Sequence, residues 1–270
     1  MSPHRARAWR PWLAAGLGAA CLLAAAALAA FVPLPASAAP ADLAAPARFA
    51  VAFHTTNGDF VIQVHRDWAP HGADRFYTLV KAGYYQGNAF YRVIPHFVAQ
   101  WGLSPLPARS AAWSQQRLPD DPVLQSNRRG RGSFAADGRN SRTTQVFVNL
   151  ADNPRLDNLG FAPFGQSRGS RRFACWQTRR GPSEAQRRLG ATGPPSRCEH
   201  KRDARRRRAG ARAHRVSSGM SVLDTLAADY GEVRPGGHGP DPRLILAQGA
   251  AYLTRNFPRL DVIYSAGLLP

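Results

Sequence analysis

This chain is short of acid and of sulfur. Seventeen Asp and Glu stand against 36 Lys and Arg in 270 residues, a formal net charge of +19. There are three cysteines and two methionines. Cys21 lies in the N-terminal apolar run, and Cys175 and Cys198 share one Arg-rich stretch. The remainder has no cysteine, which excludes a disulfide framework there. No internal repeat is visible, so a solenoid or array is excluded as well.

The shortage of acid is local. Residues 167–215 carry sixteen Lys and Arg and three Asp and Glu, a local +13, and Arg5, Arg7 and Arg10 add +3. Everything else sums to +3. A uniformly basic chain would suggest nucleic acid or an anionic membrane surface as partner. Here the main body is nearly neutral, and no nucleic-acid partner is expected.

What is present begins with a targeting segment. "MSPHRARAWR" is a positive n-region, residues 12–32 are an Ala/Leu-rich apolar run, and "PASA" places small residues at Ala36 and Ala38. That is the spacing a signal peptidase reads, so residues 1–38 are expected to be a signal peptide cleaved after Ala38. The alternative is an uncleaved membrane anchor. The expected destination of the cleaved form is the periplasm or the exterior. Residues 39–47 read as an Ala/Pro linker.

Asn57-Gly58 between two apolar runs signals a β-hairpin. Within "APHGADRFYTLVKAGYYQG", Ala73, Phe76, Tyr77 and Val80 sit at helical spacing, with Gly83 as the stop. "AFYRVIPHFVAQWG" reads as two short strands about Pro95-His96. Residues 103–131 read as loop, with Asp120-Asp121 in a turn between two prolines. Residues 145–150 are a strand, residues 217–231 a helix, "RLILAQ" a strand, and residues 249–267 a final amphipathic helix or pair of turns interrupted at Pro258. Many short strands with few helices point to an antiparallel barrel or sandwich with helices packed at its ends. His54, His65, His71, His96 and His238 have no metal-ligand spacing and read as surface or loop, so no metal or other cofactor is expected.

Three stretches then carry a resemblance. "FYRVIPHFVAQWG", "TTQVFVNL" and "RLDNLGFAPFGQ" occur in the order and spacing of the cyclophilin-type peptidyl-prolyl isomerases, which this chain resembles from Phe49 to Gln166 and again from Val216. It looks like the exported bacterial branch. The resemblance implies a closed eight-stranded antiparallel β-barrel capped by two helices, to which the pattern here adds a C-terminal helix. It implies rotation about Xaa-Pro bonds of proline-containing polypeptides as the activity, and a monomer as the working form. Carried over by position, it implies Arg92, Phe97 and Gln100 as catalytic residues. Val98, Phe147, Leu156 and Phe161 fall on the substrate pocket, Gln145 on a polar position, and Ala135 and Ala136 on the backbone that grips the peptide. Trp101 stands where the family usually has Gly, Arg155 where it often has an aromatic residue, and Phe161 where eukaryotic members have His.

Taken singly these residues have plainer readings. An Arg in a strand commonly lies along an edge with its stem on apolar surface, aromatics pack cores, and glutamines are solvated. Only the joint spacing points to a site. A proline-segment binder without turnover is the alternative function. Residues 167–215 split the family pattern between Gln166 and Val216. Their Arg/Gly/Pro/Ala composition buries little and is expected to stay disordered. They could bind a polyanion, but a passive or out-of-frame insertion fits their composition better.

Overall fold

The computed structural model describes residues 41–168 and 219–270, all within one compact unit. The expected signal peptide lies outside the described residues. So does the Arg-rich stretch, except Ser167 and Arg168.

Eight strands form one antiparallel sheet. They are β1 (Arg48–Thr55), β2 (Gly58–His65), β3 (Arg92–Ile94), β4 (Val98–Trp101), β5 (Arg131–Phe134), β6 (Val146–Asn149), β7 (Pro163–Arg168) and β8 (Ile263–Leu268). Their order is β3-β4-β6-β5-β7-β2-β1-β8. The sheet ends in β3 and β8, whose flanking residues Ala89 and Val262 form an isolated antiparallel bridge. Their lead-in segments do meet, since Phe90 N–H donates to Asp261 O at 2.9 Å and Ile263 N–H to Asn88 O at 2.8 Å. The edge strands themselves do not pair along their length.

Period-two alternation decides which face each side chain takes. Val51 and Phe53 of β1, and Phe60, Ile62 and Val64 of β2, point into the main core. So do Val93, Ala99, Trp101, Val146 and Val148. Their sequence neighbours Arg92, Val98, Gln100 and Phe147 must therefore lie on the opposite face. Trp101 is fully buried, with ring centroids 5.3 Å from Phe90 and 5.6 Å from Phe53. The departure at this position fills the core and leaves the other face untouched.

Helix α1 (Pro70–Lys81) covers the core with Ala73, Phe76, Leu79 and Val80. Its first residue is Pro, which has no N–H to satisfy. The next two N–H groups, of His71 and Gly72, both donate to Asp121 at 2.9 Å. Asp121 also accepts from the buried Arg142. The Asp120-Asp121 pair is thus more than a turn: Asp121 is a buried anchor that caps a helix 50 residues away in sequence.

Other expectations need correction. The hairpin turn is Thr56-Asn57, since Thr55 pairs with Gly58. Helix α2 (Pro107–Ser114) lies inside the expected loop, held by buried Trp113 and Ser110. Beyond residue 218, helix α3 (Met220–Asp224) is short, and "RLILAQ" belongs to helix α4 (Pro242–Gln248) rather than a strand. Asp241 caps α4 by accepting from Arg243 N–H, and only Ile245 of its apolar residues is buried. Helix α5 (Ala250–Asn256) follows, and the chain then ends in β8 where a helix was expected. His65 is buried and stacks on Trp68 at 4.2 Å. Part of the expected linker is tied down, with Leu43 N–H on Thr78, Ala45 N–H on Asp74 and Asp42 on buried Arg75.

Candidate active site

The outer face of β3, β4 and β6 opens into a cavity of about 460 Å³. Its floor is apolar: Val98, Phe147 and Leu156 form a small buried cluster, with Phe97, Ala135 and Phe161 packed against it. Phe161 meets Phe147 edge to face at 5.6 Å. Val98 and Phe147 come from paired strands. Leu156 and Phe161 come from a loop with a 3₁₀ turn at Pro154–Leu156.

That loop is fixed by a buried amide network. Asn153 Nδ2 donates to Phe97 O at 2.9 Å and to Asn149 Oδ1 at 2.9 Å. Asn149 Nδ2 and Ser133 Oγ both donate to Asn127 Oδ1, and Asn127 Nδ2 donates to Phe161 O at 2.7 Å. Asn127 and Asn149 are completely buried. A satisfied network of this kind rigidifies what it joins, here the two loops that carry Phe97 and Phe161.

The polar side begins at Arg92 on β3, directly opposite Gln100 on β4. Its guanidinium lies 5.4 Å over the Phe97 ring, and Nη1 donates to Gln100 Oε1 at 3.1 Å. Gln100 Nε2 donates in turn to Tyr91 Oη at 2.6 Å, and Tyr91 Oη donates to Gln145 Oε1 at 2.5 Å. Burial pushes the Tyr91 phenol well up, so it stays a neutral donor. The relay is oriented: both amide oxygens receive, and the Gln100 amide nitrogen gives. Ala135 N–H donates to Gln145 O at 2.9 Å, which joins the far side of the cavity to the same chain segment.

All ten residues singled out in the sequence line this one cavity. Five others complete it and were not anticipated: Tyr91, Leu159, Glu232, Val233 and Pro242. Tyr91 sits beside the recognised Arg92 on the buried side of the chain, which gave it the look of core. Glu232 forms a two-point ion pair with Arg92, Nε to Oε1 at 2.6 Å and Nη2 to Oε2 at 2.7 Å. Arg92 holds the Glu232 carboxyl below its ordinary value, against the opposing effect of burial and helped by Val233 N–H. No local signal marks Glu232, which is 140 residues from its partner. Arg155 lies 4.8 Å over the Phe97 ring, so this departure adds a second cation at the aromatic wall.

An apolar pocket beside a fixed cation, on the outer face of an antiparallel sheet, suits a small apolar ring joined to a polar backbone. Residues 50–172 match the family model for cyclophilin-type peptidyl-prolyl cis-trans isomerases. Peptidyl-prolyl cis-trans isomerase-like 3 of Neurospora crassa is 34% identical over 117 residues, 40% of this chain and 70% of that protein. A peptidyl-prolyl cis-trans isomerase of Schizosaccharomyces pombe is 36% identical over 110 residues, 40% of this chain and 71% of that protein. The chain belongs to the cyclophilin-type peptidyl-prolyl cis-trans isomerase family, and it is an enzyme of that type. A solved isomerase of this type from Cryptosporidium parvum overlaps 46% of this chain and 79% of its own, with a TM-score of 0.40 and 23% identity.

Proposed function

We propose that this enzyme acts on proline-containing polypeptides as they fold after export, and that the cavity lined by Arg92, Phe97 and Gln100 is where it does so. An Xaa-Pro bond resists rotation by about 18–20 kcal/mol because the nitrogen lone pair is delocalised into the carbonyl. Uncatalysed, it turns over in tens to hundreds of seconds. A donor aimed at the prolyl nitrogen favours the twisted state, in which the lone pair has returned to nitrogen. On this reading Arg92 supplies that donor and can also hold the proline carbonyl, a preorganised electrostatic effect with no covalent step. Phe97, Val98, Phe147, Leu156 and Phe161 hold the pyrrolidine ring still. Gln100 and Gln145 keep the polar side in register, and the chain at Ala135 and Ala136 receives the residues before the proline.

The observation that carries this reading is the convergence of residues 92 to 161 on one apolar cavity with a guanidinium fixed at its edge. A protease-coupled assay on an Ala-Xaa-Pro-Phe peptide tests it. Turnover that is lost in Arg92→Lys supports it. Peptide binding without turnover makes the cavity a proline-segment binding site instead.

Export rests on residues 1–38. N-terminal sequencing of the secreted protein is expected to begin at Ala39, and a membrane-bound chain starting at Met1 would make the segment an anchor. Among the described residues no helix is long and apolar enough to cross a membrane. We assign the monomer as the working form, with no nucleic-acid partner and no cofactor.

A further inference from the structure

The segment that supplies Glu232 lies outside the part of the chain matched to the family, which ends at residue 172. It nevertheless reaches the one cation in the cleft's apolar wall that the reaction needs. Glu232 takes the Nε and Nη2 edge of the guanidinium, and Gln100 takes a hydrogen of Nη1. Together they use three of its five N–H donors, leaving one hydrogen on Nη1 and one on Nη2 for a ligand. A two-point carboxylate–guanidinium contact fixes the plane of the group as well as its position.

Glu232 is itself held. Its Oε1 accepts from Val233 N–H at 2.9 Å. Around it the chain closes a tight loop: Gly239 N–H donates to Glu232 O at 2.8 Å and Gly237 N–H to Val233 O at 2.9 Å. A Cβ at position 237 would stand 2.4 Å from Glu232 O, and one at 239 would stand 2.7 Å from it. Only glycine allows the backbone this close. The loop is then anchored by Tyr230, edge-on to Phe257 at 5.0 Å, and by Val233, both packed on the cluster that contains Tyr91. Tyr91 is the residue whose hydroxyl orients Gln100. Both edges of Arg92 are therefore tied to one packed unit.

We propose that Glu232 is a positioning residue for the isomerase reaction, clamping the Arg92 guanidinium so that its two free N–H groups meet the twisted prolyl amide. This rests on the isomerase reading above. The guanidinium keeps its charge in such a pair, so the clamp restricts orientation without removing the cation. A contact that merely blocked the site would take both Nη nitrogens, whereas Nη1 here is left to Gln100.

Glu232→Gln keeps the shape and replaces one acceptor by a donor facing the guanidinium. It is expected to lower kcat by ~10–100-fold, the usual cost of losing a group that orients a reacting one, with KM and Tm little changed. In an Arg92→Lys background the same substitution is expected to have no further effect. Turnover at or above wild type in Glu232→Gln would overturn the proposal, as would an equal loss in both backgrounds. A second measurement is independent of turnover. The Arg92 Nε–H resonance should be protected from solvent exchange in the wild type and exchange fast in Glu232→Gln. Equal exchange in the two would overturn the clamp even if the enzyme were inactive on the test peptide, and protection lost as expected would support it. Absence of isomerase activity in the wild type would count against the isomerase reading alone.

Discussion

The cleft has two unlike banks. One is made by strands: Arg92, Val98, Gln100 and Phe147 stand on β3, β4 and β6, which pair residue by residue. The other is the loop from Tyr230 to Pro242, held by a few backbone bonds and by packing on the Tyr91 cluster. On the strand bank each side chain is placed by a ladder that survives the loss of any one of them. On the loop bank a single carboxylate does the positioning. The shape of the apolar pocket thus rests on the sheet and on the two loops its buried amides lock in place, while the aim of its cation depends on a loop that can change independently.

The largest effect is expected where the sheet's support is cut. Asp121→Ala would leave Arg142 buried beside only the more distant Asp120 carboxylate at 3.4 Å, and two α1 N–H groups without their acceptor. Losing one partner of such a buried pair typically costs about 3–5 kcal/mol, to be read from urea unfolding. Activity per folded molecule should stay near wild type.

Arg92→Lys addresses the junction of the two banks. It is expected to lower kcat/KM by ~10²–10³-fold, the cost of one preorganised donor, with a thermal melt close to wild type. Lysine keeps charge but is a flexible point donor that cannot take two-point contacts on one edge and Gln100 on the other. A rate near wild type would remove Arg92 from the mechanism.

Gly237→Ala strikes the loop bank alone. The added methyl must push against Glu232 O. It is expected to reduce kcat by about three- to tenfold, as misplacement of a catalytic group by a fraction of an ångström does, and to lower the urea midpoint, since the methyl meets backbone rather than a flexible side chain. An unchanged kcat would mean that Glu232 tolerates a shifted backbone.

The last effect is confined to acid. Because Glu232 is depressed below its ordinary 4.5, the clamp is complete above that value and is lost only as pH falls through the lower, folded value. Wild-type kcat should hold level from neutrality past 4.5 and decline below it, while Glu232→Gln should lack that decline. Circular dichroism at each pH separates this from unfolding.

The strand bank was legible because alternation and motif spacing are local. Once Arg92, Val98, Gln100 and Phe147 are assigned to strands, the period of two sends them all to one face. The loop bank was not legible, because its contacts join residues far apart in sequence. Some errors were avoidable: Asp241, Pro242 and Gly249 bracket "RLILAQ" with a helix cap, a first-turn proline and a stop. A short apolar run alone does not distinguish strand from helix. Helix α2 and the cap by Asp121 offered less, since both depend on tertiary partners such as Tyr84, 5.9 Å from Trp113.

One further consequence follows from the partners of β2. Ser167 and Arg168 pair with Ile62 and Val61, and the next described residue, Gly219, donates to Asp59 O at 3.0 Å. Along β2, Phe60 is the one position between those two contacts. If Gln166 is joined to Val216, then Val216, Ser217 and Ser218 fall opposite Ile62, Val61 and Phe60, and Gly219 keeps its place opposite Asp59. The offset along β2 is therefore the same in the excised chain as for an unbroken partner strand. The seam is expected to act as a port, where material can be spliced in or out while β2 keeps its partner. The excised chain is expected to fold with a Tm at or slightly above that of the full chain and with equal kcat.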